Sequence, residues 1–590
     1  MRRSNVLIAL AVFATIAPSV LAGGRAVAPI CRFRGSGALQ ASPGLAPASG
    51  PGAVCRRPQA GAVTAAPADL YSRDGHLNVR LNYVSSSDRD GRILFCFRTD
   101  DGEESPTLHV RPGDTLDIVL ANRTQSPHPP DRNAGQVMVM GFGPTVCGSA
   151  VADASAVNLH FHGASVSAAC HGDDVIHTSV NAGESFTYHV TIPRDQPPGL
   201  YWYHPHIHGL AEAAVLGGAS GAIVVDGIES LQPVVAHLPQ RMLVIRDQIV
   251  AGRPKPGGGV PSWDVSLNYV PIAYPALTPA VIRLRPGRRE FWRVLNASAD
   301  TVVDLRLSYD GADQPLTVVA LDGVPTGSDY GHRIGHPVTV THILIPAAGR
   351  AEFVITAPAA TVKRAVLETA AIDTGPDGDI EPTRILARLE PGDPAAGRRD
   401  GGLMARLTPA PGPRPTTPGF EPIDDARVAR RRRLFFSEAG SDDVSVGAPT
   451  QFFITVVGDE PAPYDPLAPP AIVTTEGVVE VWTIENQARE THEFHLHQLH
   501  FKLVGRDDHP ISKDERQYYD TVQIPYWRGY GPYPSITVLV DFRGAVTGDL
   551  LYHCHILQHE DAGMMAVIRV LPRKLGPVAS PPSNGSNLGF

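Results

Sequence analysis

Long apolar runs are scarce in this sequence. Apart from Val6–Leu21 near the start, no segment approaches the roughly 20 apolar residues that a membrane-spanning helix requires. Excess positive charge is missing too. The 51 Lys and Arg against 60 Asp and Glu leave a net charge of -9 with no basic stripe, which argues against a nucleic-acid surface. Aromatics are only 7% of the chain, methionines number seven, and no long stretch carries the 3.6-residue period of an amphipathic helix. The six cysteines match no zinc-ligand spacing. Turn residues are what abounds: 57 Gly and 55 Pro imply short strands joined by many turns. At 590 residues the chain exceeds one hydrophobic core and should divide into three or four domains.

The first residues read as an export signal. Arg2 and Arg3 precede the apolar run, and the small residues Ala22, Gly23 and Gly24 follow it. Residues 1–22 are therefore expected to be removed by cleavage near Ala22 or Ala28, giving a secreted or periplasmic protein without a membrane span. The arginine pair suggests the twin-arginine route, although the rest of that motif is missing. Such a compartment permits disulfides. Cys31–Cys55 and Cys147–Cys170 are plausible pairs among Cys31, Cys55, Cys96, Cys147 and Cys170, and the spacing leaves the connectivity open.

One strand signature occurs three times, as RPGDTLDIVLAN (Arg111–Asn122), RPGRREFWRVLN (Arg285–Asn296) and TEGVVEVWTIEN (Thr475–Asn486). In each, a turn glycine (Gly113, Gly287, Gly477) precedes an asparagine (Asn122, Asn296, Asn486) by nine positions, with apolar and polar residues alternating between them. Three copies of one β-domain follow from this. We expect β-sandwiches over 69–228, 236–392 and 429–573. A Gly/Ala/Pro-rich extension (23–68), a Pro-rich linker (393–428) and a tail (574–590) complete the chain.

Four histidine clusters carry the chemistry: LHFHG (His160, His162), YWYHPHIHG (His204, His206, His208), HEFHLHQLH (His492, His495, His497, His500) and YHCHILQHEDAGMM (His553, Cys554, His555, His559, Met564). On a strand, His-x-His aims two imidazoles at one point, and imidazole is the commonest transition-metal ligand. One such pair has a bland structural explanation. Four pairs supply eight nitrogens, too many for one ion and suited to a cluster of three. His553 and His555 point to one face of an extended strand and Cys554 to the other. A thiolate, His559, the distant Met564 thioether and a second imidazole form the ligand set of a blue-copper electron-transfer centre. His492 is the natural second imidazole, because it lies off the period-two pair His495 and His497. The second repeat contains no His-x-His and no cysteine.

These clusters resemble the four copper motifs of the multicopper oxidases, such as laccases, ascorbate oxidase, bilirubin oxidase and bacterial copper-efflux oxidases. The resemblance implies an all-β fold of three consecutive cupredoxin-like Greek-key β-sandwich domains. It implies four copper ions: one type 1, one type 2 and two type 3. Type 1 would be held by His492, Cys554, His559 and axial Met564, and type 2 by His160 and His495. The type 3 pair would take His162, His204, His206, His497, His553 and His555. The cluster of three is expected between the first and third domains, with the second as a spacer that can also help wall the substrate cleft. Two departures stand out, Glu493 where the third motif usually has proline and Gln498 where laccases mostly have glycine. His208 and His500 are surplus and are expected as outer-shell or loop histidines.

The same resemblance implies oxidation of a small reducing substrate, one electron at a time, coupled to four-electron reduction of dioxygen to water. Phenols or aromatic amines are the default donors. Oxidation of Cu(I), Fe(II) or Mn(II) is the alternative, and a copper-free scaffold a remote one. A cuprous oxidase would favour a methionine-rich segment, which is absent. Two carboxylates are candidates for proton delivery: Glu560, beside His559, and Asp173, with the adjacent Asp174 left open as its substitute.

Overall fold

The computed structural model describes residues 55–124, 147–392, 421–440, 450–513, 515–544 and 546–573. The expected signal, most of the linker and the tail lie outside these residues. Strand structure dominates, and the two α-helices, Ala211–Leu216 and Leu557–Asp561, are each under two turns. Among the described residues no helix is long and apolar enough to cross a membrane.

The repeated signature becomes the same strand three times over. Thr115–Asn122, Arg289–Asn296 and Val479–Asn486 each pair in parallel on one side, with His76–Ser87, Gln240–Ile249 and Val428–Ala439 respectively. Each pairs antiparallel on the other side, with Ser185–Thr191, Arg350–Thr356 and Ser535–Asp541. The glycines turn the chain in the left-handed region, with φ 96° at Gly113, 68° at Gly287 and 96° at Gly477.

The asparagines end the signature for a physical reason. Asn122 Nδ2 donates to the carbonyls of Ser155 and Val180. Asn296 Nδ2 reaches those of Thr301, Ile345 and Pro346, and Asn486 Nδ2 those of Glu490, Ile524 and Pro525. A buried amide thus satisfies backbone acceptors in the loops of each sandwich.

Each signature strand lies in one sheet of a two-sheet sandwich. In the first, the sheet containing Thr115–Asn122 packs on a five-stranded sheet. That second sheet runs in the order Asp69–Tyr71, Thr107–Val110, Gly221–Val225, Gly199–His204, His160–His162. Its core joins Leu116, Ile118 and Leu120 to Phe161, Tyr203 and Ile223. The second core centres on Trp292, Phe353 and Leu305, and the third on Trp482, Phe494 and Tyr552. Burial of these alternating apolar residues provides the main drive for folding.

Residues 55–64, the described end of the expected extension, strap the first sandwich to the second. Val63 pairs in parallel with Val281, and the Arg57 guanidinium lies 4.3 Å over the Tyr269 ring. Of the two plausible disulfides one is corrected: Cys55 bonds to Cys96, with Cα atoms 5.8 Å apart, rather than to Cys31. Its chain runs beside the strands His76–Ser87 and Ile93–Arg98, where Cys55 N donates to Ser86 Oγ at 3.2 Å. Spatial neighbours, not the nearest cysteine in sequence, decide the pair. Cys147 bonds to Cys170 as expected.

Candidate metal centre

Two strands, one from each outer sandwich, bring the histidines together. His160–His162 closes the five-stranded sheet of the first sandwich against Gly199–His204, with His160 opposite His204. His492–Leu496 lies against Gly548–Cys554 in the third sandwich, with His495 opposite His553. The strands meet so that the His160 ring stacks on His497 at 3.9 Å and the His162 ring on His495 at 4.0 Å. His204, His206, His553 and His555 close the group, and all eight rings are buried.

The donor atoms fit a metal cluster. His160 Nε2, His162 Nδ1, His204 Nε2, His495 Nε2, His497 Nδ1 and both nitrogens of His555 are buried without a hydrogen-bond partner. Three nitrogen groups lie within 4.8 Å of one another: His160/His495/His497, His160/His162/His204 and His206/His497/His553. Buried polar atoms without partners are costly, and coordination would satisfy them. Burial pulls His553 down to about 3 and the other seven rings well below the usual imidazole value, so they stay neutral, the metal-binding form.

The opposite nitrogens are anchored, which fixes the tautomers. His160 Nδ1 donates to Asp173 at 2.9 Å, His204 Nδ1 to the Pro205 carbonyl at 2.9 Å, and His553 Nδ1 to the Cys554 carbonyl at 2.8 Å. Asp520 serves two rings: Oδ1 accepts from His162 Nε2 at 3.1 Å and its carbonyl from His495 Nδ1 at 2.8 Å.

A second group sits inside the third sandwich. Cys554 Sγ is 3.6 Å from His492 Nδ1 and 3.7 Å from His559 Nδ1, and the two nitrogens are 3.1 Å apart. Met564 is buried in the same core, where its carbonyl accepts from Cys554 N at 3.1 Å. Glu493 N donates to the sulfur at 3.4 Å. This soft thiolate and its two imidazoles suit copper. Between the groups runs only the backbone of His553, Cys554 and His555.

Of the two candidate aspartates, Asp173 is the one at the centre. It accepts from His160, from Phe161 N at 3.0 Å and from Gln498 Nε2 at 2.6 Å. Asp174 instead bonds His177 at 2.9 Å. Gln498 adopts φ 55°, the left-handed conformation that glycine takes more easily, and its amide is what reaches Asp173. Glu560 lies with its oxygens 3.7 Å from His206 Nδ1 and 3.8 Å from His553 Nδ1, one ring from each outer sandwich. Both of its oxygens lack hydrogen bonds. Burial raises Asp173 and Glu560 well above the ordinary carboxyl range.

His208 and His500 stand outside both groups. His208 packs against Tyr464, and His500 Nε2 donates to the Asp322 carbonyl at 2.7 Å.

Sequence reasoning missed Asp520, Arg350, Glu438 and Glu490. Arg350, from the second sandwich, grips Asp520 with both terminal nitrogens, at 2.7 and 2.5 Å. Glu438 Oε1 accepts from His492 Nε2 at 3.0 Å, and Glu490 Oε1 lies 3.4 Å from His559 Nε2. The outward edges of both imidazoles in the Cys554 group thus end on carboxyls. Beside Glu490 opens a surface cleft of about 400 Å³, lined by Asp373, Arg489, Tyr526, Trp527 and Arg528 among others.

Family profiles described as multicopper oxidase match residues 152–230, 241–367 and 439–574. A laccase of Haloferax volcanii is 27% identical over 428 residues, covering 69% of this chain and 66% of that protein. The chain spans about two thirds of the length of such curated relatives. The McoA multicopper oxidase of Aquifex aeolicus superposes with a TM-score of 0.60 at 17% identity, over 86% of this chain and 99% of that one. A Campylobacter jejuni multicopper oxidase, described as a metallo-oxidase, gives 0.59 at 21% identity, over 88% and 96%. The sandwiches are therefore of the cupredoxin type.

Proposed function

The chain belongs to the multicopper oxidases, and from that premise we propose that it couples one-electron oxidation of a reducing substrate to four-electron reduction of dioxygen to water. One observation carries this reading. Eight buried imidazoles, six of them with unpartnered nitrogens, converge between two sandwiches, one backbone strand away from a buried Cys/His/His group. Four bound copper ions would supply the electron storage and oxygen chemistry. His492, Cys554, His559 and Met564 are assigned to type 1, His160 and His495 to type 2, and the remaining six histidines to the type 3 pair.

The chain's own groups do the rest. Asp173 and Asp520 orient His160, His162 and His495. Making two waters consumes four protons, and Glu560 is placed to deliver them as a buried, protonated carboxyl between His206 and His553. The basic, apolar and small-residue pattern at the start supports an exported, secreted or periplasmic protein.

Phenols or aromatic amines are the default donors, supported by the laccase relative and by the Tyr526 and Trp527 rings in the cleft. A second reading, oxidation of a low-valent metal cation, is favoured by Glu438 and Glu490. Their carboxyls cap the two imidazole edges through which electrons would enter. Oxygen uptake by the copper-loaded protein with phenols, Cu(I), Fe(II), Mn(II) and bilirubin tests both. Glu438→Gln/Glu490→Gln should raise KM for Fe(II) about tenfold or more and leave KM for a neutral phenol unchanged if the donor is a cation. Equal effects on both donors would remove the metal reading. No oxygen uptake with any donor would overturn the oxidase assignment.

A further inference from the structure

We propose a separate, solvent-facing metal site on the first sandwich, built by His76, Asp117 and His189 and suited to a borderline divalent cation such as Zn(II) or Cu(II). The three residues stand on three adjacent strands, His76–Ser87, Thr115–Asn122 and Ser185–Thr191. In the ladders Asp117 is the direct partner of His189, and its partner on the other side, Asn78, lies two residues beyond His76. The pleat therefore sends all three side chains outward, while Leu77, Leu116, Ile118, Tyr188 and Val190 enter the core.

Both imidazoles already face the Asp117 carboxylate, one at each oxygen. Asp117 Oδ2 accepts from His76 Nδ1 at 2.9 Å, and Asp117 Oδ1 accepts from His189 Nδ1 at 2.7 Å. Among the described residues no other side-chain hydrogen bond engages either ring. Zinc bound tetrahedrally at about 2.0–2.2 Å holds its donors about 3.3 Å apart. Each nitrogen–oxygen gap need then open by only about half an ångström. The rings are free to make that move, since the His76 and His189 side chains are 58% and 60% exposed. The cation would replace the two ring protons that point at the carboxylate, which supplies a compensating negative charge.

A third imidazole borders the site. His171 lies 6.2 Å from His189, ring to ring, and is held by stacking on Phe186 and by donating from Nδ1 to the Thr187 carbonyl. As a purely structural triad the arrangement contributes little, because exposed ion pairs are weak. As a ligand set it is two histidines and one carboxylate on a rigid sheet. None of its residues belongs to the buried centre.

Zinc chloride is the probe, titrated calorimetrically into the untagged, copper-loaded protein, with zinc per chain counted after gel filtration. Wild type should retain one zinc with micromolar affinity. His189→Ala and His76→Ala/His189→Ala should weaken that binding at least tenfold, while Asp117→Asn weakens it less and oxygen uptake stays at wild-type rates. Equal zinc uptake by wild type and the double variant, or none by wild type at about 100 µM, would overturn the proposal. Neither result would touch the oxidase assignment.

Discussion

The third and second sandwiches share one frame and use it differently. In each, the strand after the signature asparagine alternates between core and opposite face. In the third it is His492–Leu496, whose His495 meets the first sandwich. In the second it is Val303–Tyr309, where Leu305 and Leu307 fill the core and Asp304 and Arg306 pair with each other at 2.8 Å. The same backbone yields a metal group in one case and a partly exposed ion pair in the other. Fold therefore says little about which repeat does the chemistry; the residues on the period-two positions decide it. Yet the second sandwich is more than the expected spacer. Its Arg350 reaches Asp520 and, through it, His162 and His495.

The contrast is broken most completely at Cys554. Cys554→Ser should abolish the blue absorption and oxygen uptake together, and a retained blue band would refute the type 1 assignment. Arg350 comes next and tests whether a ligand-free repeat serves the centre. Arg350→Met leaves the Asp520 charge buried and unpaired, at a cost of about 3–5 kcal/mol. It should also lower copper content and the type 2 electron paramagnetic resonance signal, with partial recovery in Arg350→Lys. Arg306→Ala, on the frame strand of the same sandwich, should cost less than about 1 kcal/mol because the Arg306 end of its ion pair is about one third exposed, at 34%. If both variants bind copper alike, the second sandwich is a spacer after all. Glu560→Gln comes third. Turnover should fall about tenfold or more while the blue centre forms normally, and unchanged turnover would remove Glu560 from proton delivery.

The three-part frame was legible because its signature residues are local. A glycine turn and a loop-binding asparagine lie nine positions apart and do the same work each time. The histidine pairs were legible for the same reason, as period two on one strand. What escaped is what lies far apart in sequence. Asp520 meets Arg350 across 170 positions and His162 across 358. Glu438 meets His492 across 54 positions, and no local pattern marks any of them. Asp173 and Asp174 could not be separated because adjacent side chains diverge, and only the folded turn shows which one faces His160. The cysteine connectivity stayed open for the same reason: Cys147 does pair with Cys170, but Cys55 runs beside a sheet to a partner 41 residues away.

The smallest expected effect concerns what ties the start of the first sandwich down, where the second's first strand instead carries the Arg241–Glu290 ion pair. His109 is buried between Asp226, 3.1 Å from Nδ1, and Asp69, 3.3 Å from Nε2, with Tyr71 stacked on its ring at 4.4 Å. Burial alone would lower the imidazole's pKa, but the hydrogen bonds and charges of Asp226 and Asp69 outweigh it and raise it. A group whose folded pKa is raised stabilises the fold fully below its unfolded value and loses that contribution as pH rises through the folded one. Stability of the first sandwich should therefore decline as pH rises from about 6.5 upward. His109→Gln should flatten that slope, read from denaturant midpoints between pH 5.5 and 8.5, roughly one unit below and two above an unperturbed histidine. An unchanged slope in the variant would place the pH dependence elsewhere and remove His109 from it.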